Sequence, residues 1–297
     1  MLDMPLDKAL ATAQTLVDNN EYQKALELYK SLQIKSPNNK TVADAIETLT
    51  PKIEQTPNTQ IQHLIELYKN EKLQEAVNYG NELITLYPNY TIILTILGAA
   101  HTGLNQLDNA ADSFRKICDV EPKNFEANNN LGKILNDQGK HKEAIPYLKQ
   151  AIKINPQSAQ AHDNLGTALY DSGKYERSID AFYTALSLNT IEPLKQTYTD
   201  NLVTSLFTFG NVQNSKGRYA EATVTFKKII SLVPDSEPAN ISYLESAYNS
   251  GQFLFVIKYG QEILKKYPRN IEIFTIVGIS YRKIGNLKKA KKIFTKI

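Results

Sequence analysis

Residues 125–158 read FEANNNLGKILNDQGKHKEAIPYLKQAIKINPQS, and residues 159–192, AQAHDNLGTALYDSGKYERSIDAFYTALSLNTIE, return to the same frame 34 places later. Leu131-Gly132 comes back as Leu165-Gly166, Gly139 as Gly173 and Ala151 as Ala185. Outward from this pair, proline keeps the pitch: Pro88, Pro122 and Pro156 are 34 residues apart, and so are Pro234 and Pro268. A fixed period of this size marks a stacked array in which each supersecondary element buries its apolar face only against its neighbours.

With Pro156 set at position 32 of a 34-residue repeat, Phe125 is position 1 and the remaining glycines fall into phase. Gly98, Gly132, Gly166, Gly210 and Gly278 occupy position 8; Gly139, Gly173, Gly217, Gly251 and Gly285 occupy position 15. Gly80 and Gly260 share position 24, and Gly103 stands alone. Glycine at position 8 predicts two helices in close approach; at position 15 it predicts a turn with positive φ that ends the first helix. Position 20 is small in every repeat except the one with Val256: Ala25, Ala76, Ala110, Ala144, Ser178, Ala222 and Ala290.

This frame resembles the tetratricopeptide repeat (TPR) family over nearly the whole chain. Two departures are that no repeat has Trp at position 4 and that Thr190 stands where the family has Pro. The resemblance implies an all-α, right-handed TPR superhelix, an α-solenoid of about eight helix-turn-helix repeats. Residues 1–39 form the first repeat, 40–56 a half-repeat helix and linker, and 57–192 repeats two to five. Residues 193–202 are an insertion expected to lengthen the first helix of repeat six, because Tyr198, Leu202 and Leu206 keep helical spacing. Residues 203–297 hold repeats six to eight; the last is incomplete, so the native chain is expected to continue. Tyr79-Gly80-Asn81-Glu82 returns as Tyr259-Gly260-Gln261-Glu262, which reads as a duplicated block.

The chain of 297 residues is 42% hydrophobic and 22% charged, the composition of a folded protein, and a stacked array of this length is expected to be one elongated domain. Its one cysteine, Cys118, excludes an intramolecular disulfide and reads as a small buried hydrophobe. The start, Met1-Leu2-Asp3-Met4-Pro5, lacks a basic segment followed by an apolar run, so no signal peptide is expected and a cytoplasmic location follows. The sequons at Asn89 and Asn240 are then chance matches. Leu83 to Leu107 carries no Asp, Glu, Lys or Arg, but Pro88, Asn89, Gly98 and Gly103 interrupt it, so no membrane span is expected. Lys outnumbers Arg 29 to 5, which points to an AT-rich bacterial genome.

No convergent catalytic set can be assembled, and an enzyme is not expected. His63, His101, His141 and His162 fall at positions 7, 11, 17 and 4, mostly interior packing places, so no metal site is expected. Each glycine already has a place in the frame, leaving no phosphate-binding loop; no cofactor and no small-molecule substrate are expected.

In TPR proteins the first helices line a concave face through positions 2, 5, 6, 9, 12 and 13. The resemblance therefore implies a peptide-binding groove that includes Asn129, Asn130, Lys133 and Asn136 from repeat four, with Asp163, Asn164, Thr167 and Tyr170 from repeat five. Such amides, hydroxyls and charges can bond an extended main chain without demanding one side chain. Asn130 and Asn164, each just before Leu-Gly, are similar to the asparagine ladder of O-linked N-acetylglucosamine transferases; replacing both by Ala is expected to leave stability nearly unchanged if both amides face the solvent-filled groove. The cationic carboxylate clamp of chaperone-binding TPR domains is missing, since Thr95, Ala99, Asn130, Gln160 and Asn164 fill its places, and Hsp70 or Hsp90 tail binding is disfavoured. The last stretch is basic: Arg282, Lys283, Lys288, Lys289, Lys291, Lys292 and Lys296 leave the rest of a +3 chain at −4. That end reads first as a solvated helix face, so nucleic acid is not the expected partner.

The reading that results is a non-catalytic scaffold for protein or extended peptide segments. Its alternative is the substrate-recruiting N-terminal arm of a larger bacterial enzyme (a glycosyltransferase, sulfotransferase or 2-oxoglutarate oxygenase) whose catalytic domain lies beyond residue 297. A third is a basic end that contacts nucleic acid or a membrane surface.

Overall fold

A computed structural model describes residues 5–19, 21–54, 57–88, 90–189 and 191–295, and the regular elements there are all helices. Thr190, Asn89, Lys296 and Ile297 lie outside the described residues. By its internal contacts the chain divides into two compact units, residues 1–120 and 121–297. The first contains α1 (Leu6–Asp18), α2 (Tyr22–Lys35), the unpaired α3 (Lys40–Glu54), α4 (Pro57–Lys69), α5 (Leu73–Leu86), α6 (Thr91–Gly103) and α7 (Leu107–Val120). The second pairs α8 (Phe125–Asp137) with α9 (His141–Ile154), and α10 (Ala159–Asp171) with α11 (Tyr175–Leu188). It continues with α12 (Leu194–Ser215) and α13 (Tyr219–Leu232), α14 (Glu237–Asn249) and α15 (Phe253–Lys266), then α16 (Ile271–Lys283) and α17 (Leu287–Phe294).

The helix ends follow the frame. First helices fill positions 1 to 13 and second helices positions 17 to 30, so the same local chemistry starts and stops each one. Asn124, Ser158, Ser236 and Asn270, all at position 34, accept a backbone N–H of the first turn of α8, α10, α14 and α16. Each such cap is worth about 1 kcal/mol. At position 15 of repeats two to eight the backbone is left-handed whatever the residue: φ is 76° at Gly139 and 74° at Gly173, but also 59° at Glu71 and 57° at Asn105. The exception in length is α12 with 22 residues, whose leading turns carry the buried Tyr198 and Leu202 in line with Leu206.

Packing within a repeat sets position 8 against position 24. A Cβ on Gly166 would lie 2.6 Å from the Phe182 ring, and one on Gly132 2.5 Å from Leu148. Where position 24 is the glycine, position 8 is large: Leu64 and Leu244 lie 3.5 and 3.7 Å from the Cβ that Gly80 and Gly260 lack, while Leu97 and Val277 of the following repeat come closer. Between repeats, Phe182, Leu202, Leu206, Phe226 and Ile229 share one buried cluster, and Leu244, Val256, Ile273 and Val277 another. This continuity keeps the first helices of the second unit side by side, which positions the polar residues on them.

Candidate functional site

The eight groove residues sit on α8 and α10, and the structure sorts them into two kinds. Asn129 is only 3% exposed, and its Oδ1 accepts a hydrogen bond from Asn164 Nδ2 at 2.9 Å. Asn136 is buried as well: its Nδ2 donates to Asp171 Oδ2 at 2.9 Å, while its Oδ1 lies 2.7 Å from His141 Nδ1. With the amide nitrogen already donating, the His141 ring must supply the proton of that second bond. On the next step of the stack, Asn201 Nδ2 donates to Asp163 Oδ1 at 2.8 Å, and the Tyr170 and Thr208 hydroxyls are 3.1 Å apart. Thr208 donates to the Thr204 carbonyl, so Tyr170 is the donor of that pair.

Positions 5 and 12 therefore tie α8 to α10 and α10 to α12, and Asn129, Asn136, Asp163 and Tyr170 are rungs between helices. The residues that remain available are Asn130, half-buried with no side-chain hydrogen bond among the described residues, and Lys133, exposed and paired only with Asp137 at 2.8 Å on its own helix. Thr167 donates to the Asp163 carbonyl at 3.1 Å and retains its acceptor lone pairs. Asn164 Oδ1 has no hydrogen bond among the described residues, but its amide holds Asn129. Asn164 does not meet the condition set for replacement without loss of stability, because its amide faces Asn129 and its removal strands a buried acceptor.

Sequence reasoning missed Asn201 because it lies in the leading turns of α12, outside the 34-residue frame. The signal for the α8–α10 rungs was present as polar pairs 35 residues apart, Asn129 with Asn164 and Asn136 with Asp171. Burial pushes the Asp163 carboxyl above its ordinary value, and the bond from Asn201 opposes that shift.

The same face continues into a cleft of about 960 Å³ at repeats seven and eight. Groove positions line it: Ile241, Ser242 and Glu245 from α14, with Glu272 from α16. Burial, and then the neighbouring Glu272 charge, raise the Glu245 carboxyl. Across its mouth Asn270 Nδ2 donates to Glu237 Oε1 at 2.7 Å, and Lys266 pairs with Asp235.

The remaining reactive side chains do not converge. Cys118 is buried, and its thiol is pushed up to about 11 by burial and by Asp119, so it is not a nucleophile at neutral pH. His101 is buried with Nδ1 2.6 Å from Gln106 Oε1, and His162 Nε2 lies 3.1 Å from the Pro156 carbonyl. His63, expected in the interior, is exposed and packs edge-on to Tyr79. Among the described residues no three His, Cys, Asp or Glu side chains gather as metal ligands, and no helix is long and apolar enough to cross a membrane.

Hairpins of 13- and 14-residue helices stacked in a 34-residue frame define the class: an all-α repeat protein. Residues 132–173 match the model of the TPR repeat and residues 159–191 that of the tetratricopeptide repeat. Residues 132–191 are tetratricopeptide repeats, and the helical hairpins on either side keep the same 34-residue frame. It is 33% identical over 104 residues to Heat shock protein STI1 of Saccharomyces cerevisiae, which covers 32% of this chain and 17% of that protein. It is 35% identical over 71 residues to the aspartyl/asparaginyl beta-hydroxylase of Homo sapiens, covering 24% of this chain and 9% of that one. The chain thus matches less than a fifth of the length of either relative. The solved structure of Naa15/Naa10 bound to HypK-THB superposes with a TM-score of 0.53 over 93% of this chain and 39% of that one, at 13% identity; the likeness is one of fold.

Proposed function

We propose that the protein is a non-catalytic interaction scaffold that holds an extended peptide segment along the first-helix face of residues 121–297. The observation that carries this reading is Asn130, a half-buried amide with donor and acceptor unspent, beside Lys133 and one repeat away from Asn164, whose Oδ1 has no hydrogen bond among the described residues. An amide of this kind bonds a peptide N–H and C=O together, which reads main chain and leaves the choice of side chain to neighbouring positions. The cleft at Ile241, Glu245 and Glu272 lies farther along the same face and supplies an apolar wall and carboxylates for one side chain of the segment.

The test is recovery of partners from cell extract on immobilised protein, followed by affinity measurement for the recovered partner with wild type and Asn130→Ala. Each lost amide bond is worth about 0.5–1.5 kcal/mol, so affinity should fall roughly 2- to 12-fold per bond while the unfolding midpoint stays in place. Unchanged affinity in the variant would move the contact off this face.

A further inference from the structure

A second recess lies on the opposite, second-helix side of repeats four and five, between α9 and α11. It measures about 420 Å³, and its floor is aliphatic: Ile145, Leu165, Leu169 and Ala181, all largely buried. Three cations stand at its rim, Lys149 from α9, Lys174 from the turn before α11, and Arg177 from its first turn. All three are exposed and form no ion pair among the described residues. Asp180 is the one carboxylate in the lining.

The rim departs from the charge pattern of four other repeats, those one, two, four and six. Positions 16 and 19 carry opposite charges in repeats one, two and six and pair across one helical turn: Glu21 with Lys24 at 2.5 Å, Lys72 with Glu75 at 3.2 Å, and Arg218 with Glu221 at 3.9 Å; repeats three, seven and eight have no such pair. Lys140 and Glu143 occupy these positions in repeat four. In repeat five they are Lys174 and Arg177, so a self-neutralising pair is replaced by two like charges, with Lys149 added from the facing helix. Like charges at this spacing disfavour the helix they sit on, and the arrangement gains from an external anion.

We propose that this outer recess binds an acidic peptide segment, one apolar side chain entering between α9 and α11 while flanking carboxylates meet Lys149, Lys174 and Arg177. The occupant follows from the lining. The one ring in the lining is His162, whose Nε2 lies 3.1 Å from the Pro156 carbonyl, and no Phe, Tyr or Trp is there to stack a nucleobase; a floor sunk between two helices is out of reach of a flat bilayer surface. The volume suits one or two apolar side chains rather than a folded domain.

Labelled pools of 12-residue peptides test this by fluorescence anisotropy with the full chain at low salt. One pool is rich in Asp and Glu around a central Leu, Ile or Phe; a second has Ser at the centre; a third exchanges the acids for Lys. The acidic, apolar-centred pool should bind at least tenfold more tightly than the other two, with methyl shifts at Ile152, Leu165 and Leu169. Arg177→Glu rebuilds the Lys-and-Glu pair of the neighbouring repeats, so the fold should be retained while binding falls tenfold or more. Lys149→Glu should act in the same direction. Equal binding of the three pools, or unchanged binding by Arg177→Glu, overturns the proposal. So does stronger competition by phosphatidylserine vesicles or single-stranded oligonucleotide than by unlabelled acidic peptide.

Discussion

Asp163 stands at a position where TPR resemblance implies a ligand contact, yet its carboxylate accepts from Asn201 inside the stack. Burial holds its carboxyl above the ordinary 3.8, so the folded state binds the proton more tightly than the unfolded chain does. The sign follows: the ionised form subtracts stability as pH rises through the folded value, and the full benefit is present only below 3.8. Asp163→Asn keeps an acceptor for Asn201 and removes the charge. It should raise the unfolding temperature at pH 7 and lose that advantage as the pH is lowered to about 4, which a pH series of thermal melts would show. Glu71 carries a different cost, a φ of 59° where most repeats have glycine. Glu71→Gly should stabilise by about 1 kcal/mol in urea unfolding, since left-handed backbone penalises a Cβ. A lower midpoint would mean that the Glu71 side chain contributes more than its backbone costs.

At the level of the helix pair, close approach depends on the sum of two side chains rather than on glycine at a fixed place. Gly166→Leu sets a side chain where a Cβ is already 2.6 Å from Phe182, and should cost roughly 1–3 kcal/mol. The array itself contains the reverse arrangement, because repeats two and seven pair Leu64 and Leu244 with Gly80 and Gly260, with Leu97 and Val277 of the next repeat filling the rest of the space. Gly166→Leu combined with Phe182→Gly should therefore be less destabilised than the two single changes added together. A double-mutant cycle in urea with no coupling would show that the exchange of sizes does not compensate.

Across the whole molecule, stability in a stacked array is local: each repeat has its own term and shares a term with each neighbour. The Asn129–Asn164 rung belongs to one such shared term, between α8 and α10. Asn164→Ala should cost about 1–3 kcal/mol by leaving the Asn129 oxygen buried and unpaired. Hydrogen exchange should show lost protection concentrated in α8 and α10, with α14 and α16 little changed. Uniform loss from Phe125 to Phe294 would mean that residues 121–297 unfold as one cooperative body instead.

The 34-residue frame was legible because it rests on local and nearest-neighbour chemistry. Prolines at position 32, glycines at 8 and 15 and small residues at 20 each answer a steric demand that recurs in every repeat. The helix at Tyr198 and Leu202 was legible for the same reason, as an apolar stripe at 3.6-residue spacing. What the frame alone could not assign was the state of the polar groups on the first helices. Asn129 and Asn130 are adjacent, of one type and equally plausible as ligands, yet the helical rotation between them buries the first against Asn164 and leaves the second unspent. Asp163 depends on Asn201, a partner 38 residues away in a segment outside the repeat. Residue type and phase determined the fold of this protein; which polar groups are consumed in holding that fold, and which are left to bind, was decided only when neighbouring helices came together.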